Sequence, residues 1–394
     1  MRRRALWLIF GIAGGALVLL CVGGGLLALA LLLAFRGALT AVEALPVAGL
    51  MAFGLGLGVP VALHGWAGWQ GWPSRPFNPP RTCWVCFALV LLIGLGTVVT
   101  TLSLAPALLL PPIHALAMIC PPLVVLWLVG RALNGMGGSW RDVVVGMAGG
   151  GILGTTASLI CEGLIGFVLI VVVLTVVQLL PGGAERFAVV KRDFEDLAGR
   201  QDLARLLKLL LSPAAVISIL GMFSVPVPLV EEFFKTMAAG VVFRWVRPRP
   251  GRAFLWGVAG GAGFALAENL FNGALGGAQG WALGAMSRVA ATTMHCFTGG
   301  LVGWGWGQLW TARRPLRLLG SYAVAVAVHG LWNAAAVGIA LLGACTWVCE
   351  GDDGWIALAG LGILALAGVL GLLVGGFLFA LRLAGRRLTV DDRH

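Results

Sequence analysis

Polar chemistry is scarce in this chain. Its 394 residues include one tyrosine, five histidines and 16 acidic side chains, and charged residues make up only 11% of the whole. A typical soluble domain carries charge on about a quarter of its residues, so a water-exposed globular surface is excluded. Long polar segments are missing too; the sole sizeable one is "PGGAERFAVVKRDFEDLAGRQDLAR", beginning at Pro181. The chain has no HExxH, which excludes a zincin-type metal helix. Its apolar runs do not alternate with polar residues, which argues against a transmembrane barrel.

What is present is hydrocarbon-like. Hydrophobic residues reach 59% and the mean hydropathy is +0.97. Continuous runs such as "LVLLCVGGGLLALALLLAF" have the length that one crossing needs, about 17–25 residues. The expectation is an all-α fold: a polytopic transmembrane helical bundle of roughly 10–12 spans. Residues 143–160 and 164–180 read as two of them, with "CEG" at 161–163 as a hairpin tip, and 206–225 reads as a span or an interfacial helix. "MRRRALWLIF" opens a first span retained as an anchor.

The formal net charge of +11 is spread over short loops beside spans, and no folded basic domain exists to grip a phosphate backbone. Nucleic acid is therefore excluded as a partner. With twelve spans the basic clusters, at Arg2 to Arg4, Arg75 and Arg81, Arg131 and Arg141, Arg186 to Lys208, Arg244 to Arg252, Arg313 to Arg317 and Arg382 onward, all fall in the cytoplasm with both termini, and "CEGDDG" falls outside. If 164–180 and 206–225 are not separate spans, the loop 181–205 moves outside. Most of the eight cysteines lie in apolar runs as small hydrophobes; "CWVC" at 83–86 lacks a redox context, and Cys345 and Cys349 would pair only on an oxidising side. Four segments follow: spans without a motif over 1–180, a polar loop over 181–205, polar-bearing spans over 206–345, and a last span with its tail over 346–394.

The polar-bearing spans hold the chemistry. They carry Glu231, Glu232 and Lys235 in "EEFFK", Glu268 and Asn269 in "FALAEN", His295 in "TTMHCF", and His329 with Asn333 in "HGLWN". An ionised side chain at the bilayer centre costs at least about 2.5–3.5 kcal/mol, and four helices bringing such groups to one level point to a shared site. Glu231 and Lys235, like His329 and Asn333, are four apart and share a helix face. Peptide hydrolysis inside a membrane needs a water held against a base and a donor for the developing oxyanion. Either Glu231 or Glu232 is that base, with His329 and Asn333 as donors, or His295, His329 and Glu268 hold a zinc ion and one of the glutamate pair is the base. Two other classes fit the same residues: a proton-coupled transporter, against which the lack of inverted repeats counts, and a non-catalytic membrane-embedded binding protein.

In this order on successive spans, the EExxK, FxxxEN, lone histidine and HxxxN motifs resemble the PrsW-type intramembrane proteases, relatives of the type II CAAX-prenyl endopeptidases. The resemblance covers roughly residues 205–345. It implies an integral endopeptidase of the bacterial plasma membrane, with the lipid bilayer and a membrane-anchored substrate such as an anti-sigma factor as partners. By the same resemblance Glu231 and Glu232 form the catalytic pair, Glu268 is the second-motif acid, His295 and His329 are the two histidines, and Lys235 and Asn269 support them. Lys235 and Glu268 stand where the CAAX relatives usually have arginine and often histidine, which favours the PrsW branch.

Overall fold

The computed structural model describes residues 2–179, 203–274, 280–348 and 353–391, with 182, 184, 185, 188, 192 and 278 between them. Most of the polar loop expected at 181–205, together with Cys349 and positions 350–352 of the "CEGDDG" segment, lies outside the described residues. The helices are α1 (Arg2–Arg36), α2 (Ala41–Phe53), α3 (Val59–Trp69), α4 (Cys83–Thr101), α5 (Pro106–Ala132), α6 (Trp140–Ala148), α7 (Thr155–Leu179), α8 (Leu203–Leu210), α9 (Pro213–Ser224), α10 (Pro226–Val246), α11 (Pro250–Asn272), α12 (Trp281–Ala312), α13 (Pro315–Val348) and α14 (Asp353–Asp391). Among the described residues no β-strand forms; Pro76 and Ser139 make one isolated bridge. The fold is an all-α polytopic bundle.

Among the described residues nine stretches are long and apolar enough to cross a membrane. Two glycine-rich π turns, Gly54–Gly58 and Gly149–Gly154, join α2 to α3 and α6 to α7 without breaking either helix. The hairpin tip expected at 161–163 is therefore absent, and Trp140–Val176 is a single candidate span. Glycine loosens the ladder enough to admit the wider turn, but nothing in Cys161–Gly163 supplies a reversal. Likewise α9 and α10 form one candidate, Pro213–Val246. α12 is long enough to cross at 32 residues, yet falls short of the nine in apolarity.

The chain divides into two compact units. The first holds Met1–Thr156, Glu232–Ala325 and Val374–His394. Its centre is α11, the least apolar of the nine candidates at a mean hydropathy of 1.2, with 89% of its apolar window buried. Phe254, Leu255, Val258, Ala259 and Ala262 pack there with Val125, Leu126 and Val129 of α5 and Cys296 of α12. Asp142, in a capping box with Ser139 at the start of α6, receives Arg252 Nη2 at 2.6 Å and ties that helix to α11. Contact between α11 and α12 depends on Gly257 and Gly261, where a Cβ would collide with the carbonyl oxygens of Gly299 and His295.

The second unit holds Ala157–Glu231 and Val326–Leu373. Here α13 packs on the end of α9: Gly330 lies against the Ser224 carbonyl, and Asn333 Nδ2 donates to the Phe223 carbonyl at 3.0 Å. Farther along, Leu342 fills the space over Gly362 of α14.

Gly261 sets how closely the α11 backbone approaches His295, so Gly261→Val should lower the thermal unfolding midpoint of the purified protein by the equivalent of about 1–3 kcal/mol. An unchanged midpoint, read by tryptophan fluorescence, would show that the two helices can part without cost.

Candidate active site

In the first unit, Lys235 organises the polar groups. Its side chain is fully buried, and a buried ammonium has three N–H donors to place. One goes to Glu232 Oε1 at 2.5 Å, one to Thr298 Oγ1 at 3.1 Å and one to His295 Nδ1 at 3.2 Å. An ammonium cannot accept, so Nδ1 of His295 is the acceptor and Nε2 carries the proton. Nε2 then donates to Glu268 Oε2 at 2.7 Å, and the same oxygen receives Arg288 Nη2 at 3.0 Å. Glu232, Lys235, neutral His295, Glu268 and Arg288 thus run in series across α10, α11 and α12, with two anions balancing two cations. Asn269 holds the far end: its oxygen accepts Arg288 Nε at 3.1 Å, while Nδ2 donates to Thr292 Oγ1 at 2.9 Å and to the Met118 carbonyl at 3.3 Å.

In the second unit the Glu231 carboxylate and His329 Nε2 lie 3.5 Å apart, both residues buried. One turn farther along α13, Asn333 makes its bond to Phe223. Glu231 and Glu232 are consecutive in α10, and the chain passes from one unit to the other between them.

A family model described as PrsW family intramembrane metalloprotease matches residues 138–349, more than half of the chain. The chain belongs to the PrsW family. No curated protein and no solved structure matches it significantly. Membership makes the chain an intramembrane protease, a hydrolase of the metalloprotease kind, rather than a carrier, and its many apolar helices make it a multi-pass membrane protein.

Several sequence expectations change in detail within this family frame. Lys235 pairs with Glu232, three residues away, where the sequence had left both glutamates open as its partner. His295 lies fourteen residues into α12, because the helix begins at Trp281 and not near 289. That earlier start takes in Arg288, which the sequence reading passed over. Its signal was available: Arg288 precedes His295 by seven residues, two helical turns, and so shares its face. Thr298, three residues beyond His295, was missed in the same way. Both are ordinary in isolation, and only the buried carboxylate and ammonium opposite them give them work.

Breaking a largely buried ion pair leaves one charge uncompensated at a cost of about 3–5 kcal/mol, whereas removing both charges costs less. Arg288→Leu should therefore lower the unfolding midpoint sharply, and Arg288→Leu with Glu268→Gln should recover much of the loss. Additive losses in this double-mutant cycle would mean that the two side chains are not coupled.

Proposed function

We propose that this PrsW-family chain cleaves a membrane-anchored protein near the outer leaflet, with Glu231, Glu232, His295 and His329 as the reacting set and zinc as the metal. The reading is carried by the consecutive carboxylates of α10, one facing the imidazole of His329 and the other balanced by buried Lys235.

The donors suit a divalent metal. A carboxylate oxygen and an imidazole nitrogen 3.5 Å apart match two corners of a tetrahedron with bonds of about 2.1 Å, whose edge is about 3.4 Å. His295 is the third ligand in this proposal. Glu268 becomes its orienting partner and not a ligand, because 2.7 Å between Oε2 and Nε2 is a direct hydrogen bond with no room for an ion. Ligation then falls to Nδ1, which Lys235 would have to release. Bound there, the metal would polarise the scissile carbonyl and acidify a water.

Glu232 is the proposed base. It accepts the water proton and passes it to the leaving amine, while Lys235 balances its charge and fixes the carboxylate. Asn333 acts through position: its bond to Phe223 secures α13 one turn from His329. The cleaved segment is apolar in this reading, and a cavity of about 240 Å³ lined by Phe233, Thr236, Trp306, Leu318 and Tyr322 is suited to an apolar side chain. A membrane-anchored anti-sigma factor is the proposed substrate class.

Glu232→Gln should lower cleavage by about 10²-fold or more while leaving the protein inserted. His329→Ala should lose metal as well, from about one zinc per chain to none by elemental analysis, because a three-ligand site has no spare. Quantitative mass spectrometry of membrane proteins is the readout: fragments present with the wild type and absent with Glu232→Gln identify the substrate. Wild-type cleavage by Glu232→Gln, or by metal-free enzyme, would end the assignment.

We further propose a bacterial plasma membrane and cytoplasmic termini. The nine candidate spans together with α12 give an even number of crossings, which keeps the other basic clusters named from the sequence on one side and moves the cluster that begins at Arg186, with the loop 181–205, outside. A reporter fused after Arg314 should read cytoplasmic and one inserted at Asp353 external; opposite signals would reverse the topology and the leaflet of the site.

A further inference from the structure

Three arginines converge on one cavity that the proteolytic site does not use. Arg131 in the last turn of α5 and Arg382 and Arg386 of α14 line a space of about 380 Å³ together with Thr82, Leu128 and Ala132. Thr82 is the N-cap of α4 and makes no side-chain cap bond, so the start of that helix borders the cavity. All these residues belong to the first unit. No carboxylate lines the cavity among the described residues.

Packing, not attraction, brings these cations together. Leu381 is fully buried in the core cluster with Val125, Leu126 and Val129 of α5 and Leu133 just past its end. One turn on, Gly385 lies so close to Ala132 that a Cβ there would crowd it, and Thr389 Oγ1 donates to the Ala132 carbonyl at 3.2 Å. The helices are thus locked together where both are cationic, and like charges held close cost free energy unless an anion joins them.

We propose that this cavity binds the phosphate of an anionic membrane lipid. Arginine forks match phosphate oxygens, and the N-terminal end of α4 adds N–H donors and a positive dipole. Leu128 and Ala132 supply an apolar side for the lipid's glycerol and upper chain. The position agrees as well: Arg131 ends one candidate span, Thr82 precedes another and Arg386 is near the end of a third, the level at which lipid phosphates lie. The shared chemistry is a phosphate, and a free phosphate ion is the competing source.

The test is native mass spectrometry of the full chain in detergent, titrated with phosphatidylglycerol, with phosphatidylcholine of the same acyl chains, or with inorganic phosphate. Wild type should retain phosphatidylglycerol in preference to phosphatidylcholine. Arg386→Gln should weaken it about fivefold, with a further loss on adding Arg131→Gln. Arg387→Gln, an exposed neighbour outside the lining, should bind as wild type does. Leu128→Trp keeps every charge but fills the apolar side, so it should lose the lipid even if the arginine variants fail to fold. Equal binding by wild type, Arg386→Gln and Leu128→Trp would overturn the proposal, as would an equal loss in Arg387→Gln. Inorganic phosphate that displaces the lipid completely and raises the unfolding midpoint as much would assign the site to the free ion.

Discussion

An ammonium group fully enclosed among membrane-length helices is the constraint on which the site depends. Lys235 cannot shed its three donors into hydrocarbon, and each must find an acceptor inside the protein. The three it finds come from Glu232 on its own helix and from His295 and Thr298 on α12. Those partners make demands in turn. Nε2 of His295 needs an acceptor, which brings Glu268 from α11; the carboxylate of Glu268 needs a cation, which brings Arg288; and the guanidinium of Arg288 needs Asn269. One buried charge therefore fixes the rotation of three helices and the tautomer of a histidine.

Such a network gives little net stability, because desolvating its members costs about as much as their attraction returns. Its worth lies in position. The Glu232 carboxylate held by an ammonium and the His295 imidazole held by a carboxylate each keep one orientation, so the polar groups are fixed in advance. The backbone geometry that permits this comes from small residues: Gly257 and Gly261 let α11 and α12 approach until their polar side chains meet. In lipid, where apolar surface gains nothing by leaving the solvent, close packing of this kind and interhelical hydrogen bonds take over the work of the hydrophobic effect.

Burial follows the same logic. The most apolar candidate span, Trp140–Val176 at a mean hydropathy of 2.8, has none of its apolar window buried, while α11 at 1.2 is almost wholly enclosed. A soluble protein sorts its helices the other way. Here the least lipid-like of the nine candidates is placed inside because its glycines and its carboxylate are better satisfied by other helices than by acyl chains.

Much of this was legible in the amino acids. Composition and run length determined the helical, membrane-spanning class, since hydrocarbon leaves a backbone few other ways to satisfy itself. Glu231, Glu232, Glu268, His295 and His329 stood out because their cost in a span demands a reason, and their order gave the family. Pairing was not legible. Spacing alone allowed Lys235 to meet either glutamate, because residues three and four apart are both neighbours on a helix, and the position of His295 on α12 decided for Glu232. Arg288 was hidden because an arginine at the edge of an apolar run looks like a loop charge until a buried carboxylate is placed opposite it. The arginine cavity likewise joins residues some 250 positions apart, Arg131 and Arg382. Sequence determines which groups are too costly to leave alone in a membrane; only the packing of one helix on another decides which partner relieves each of them.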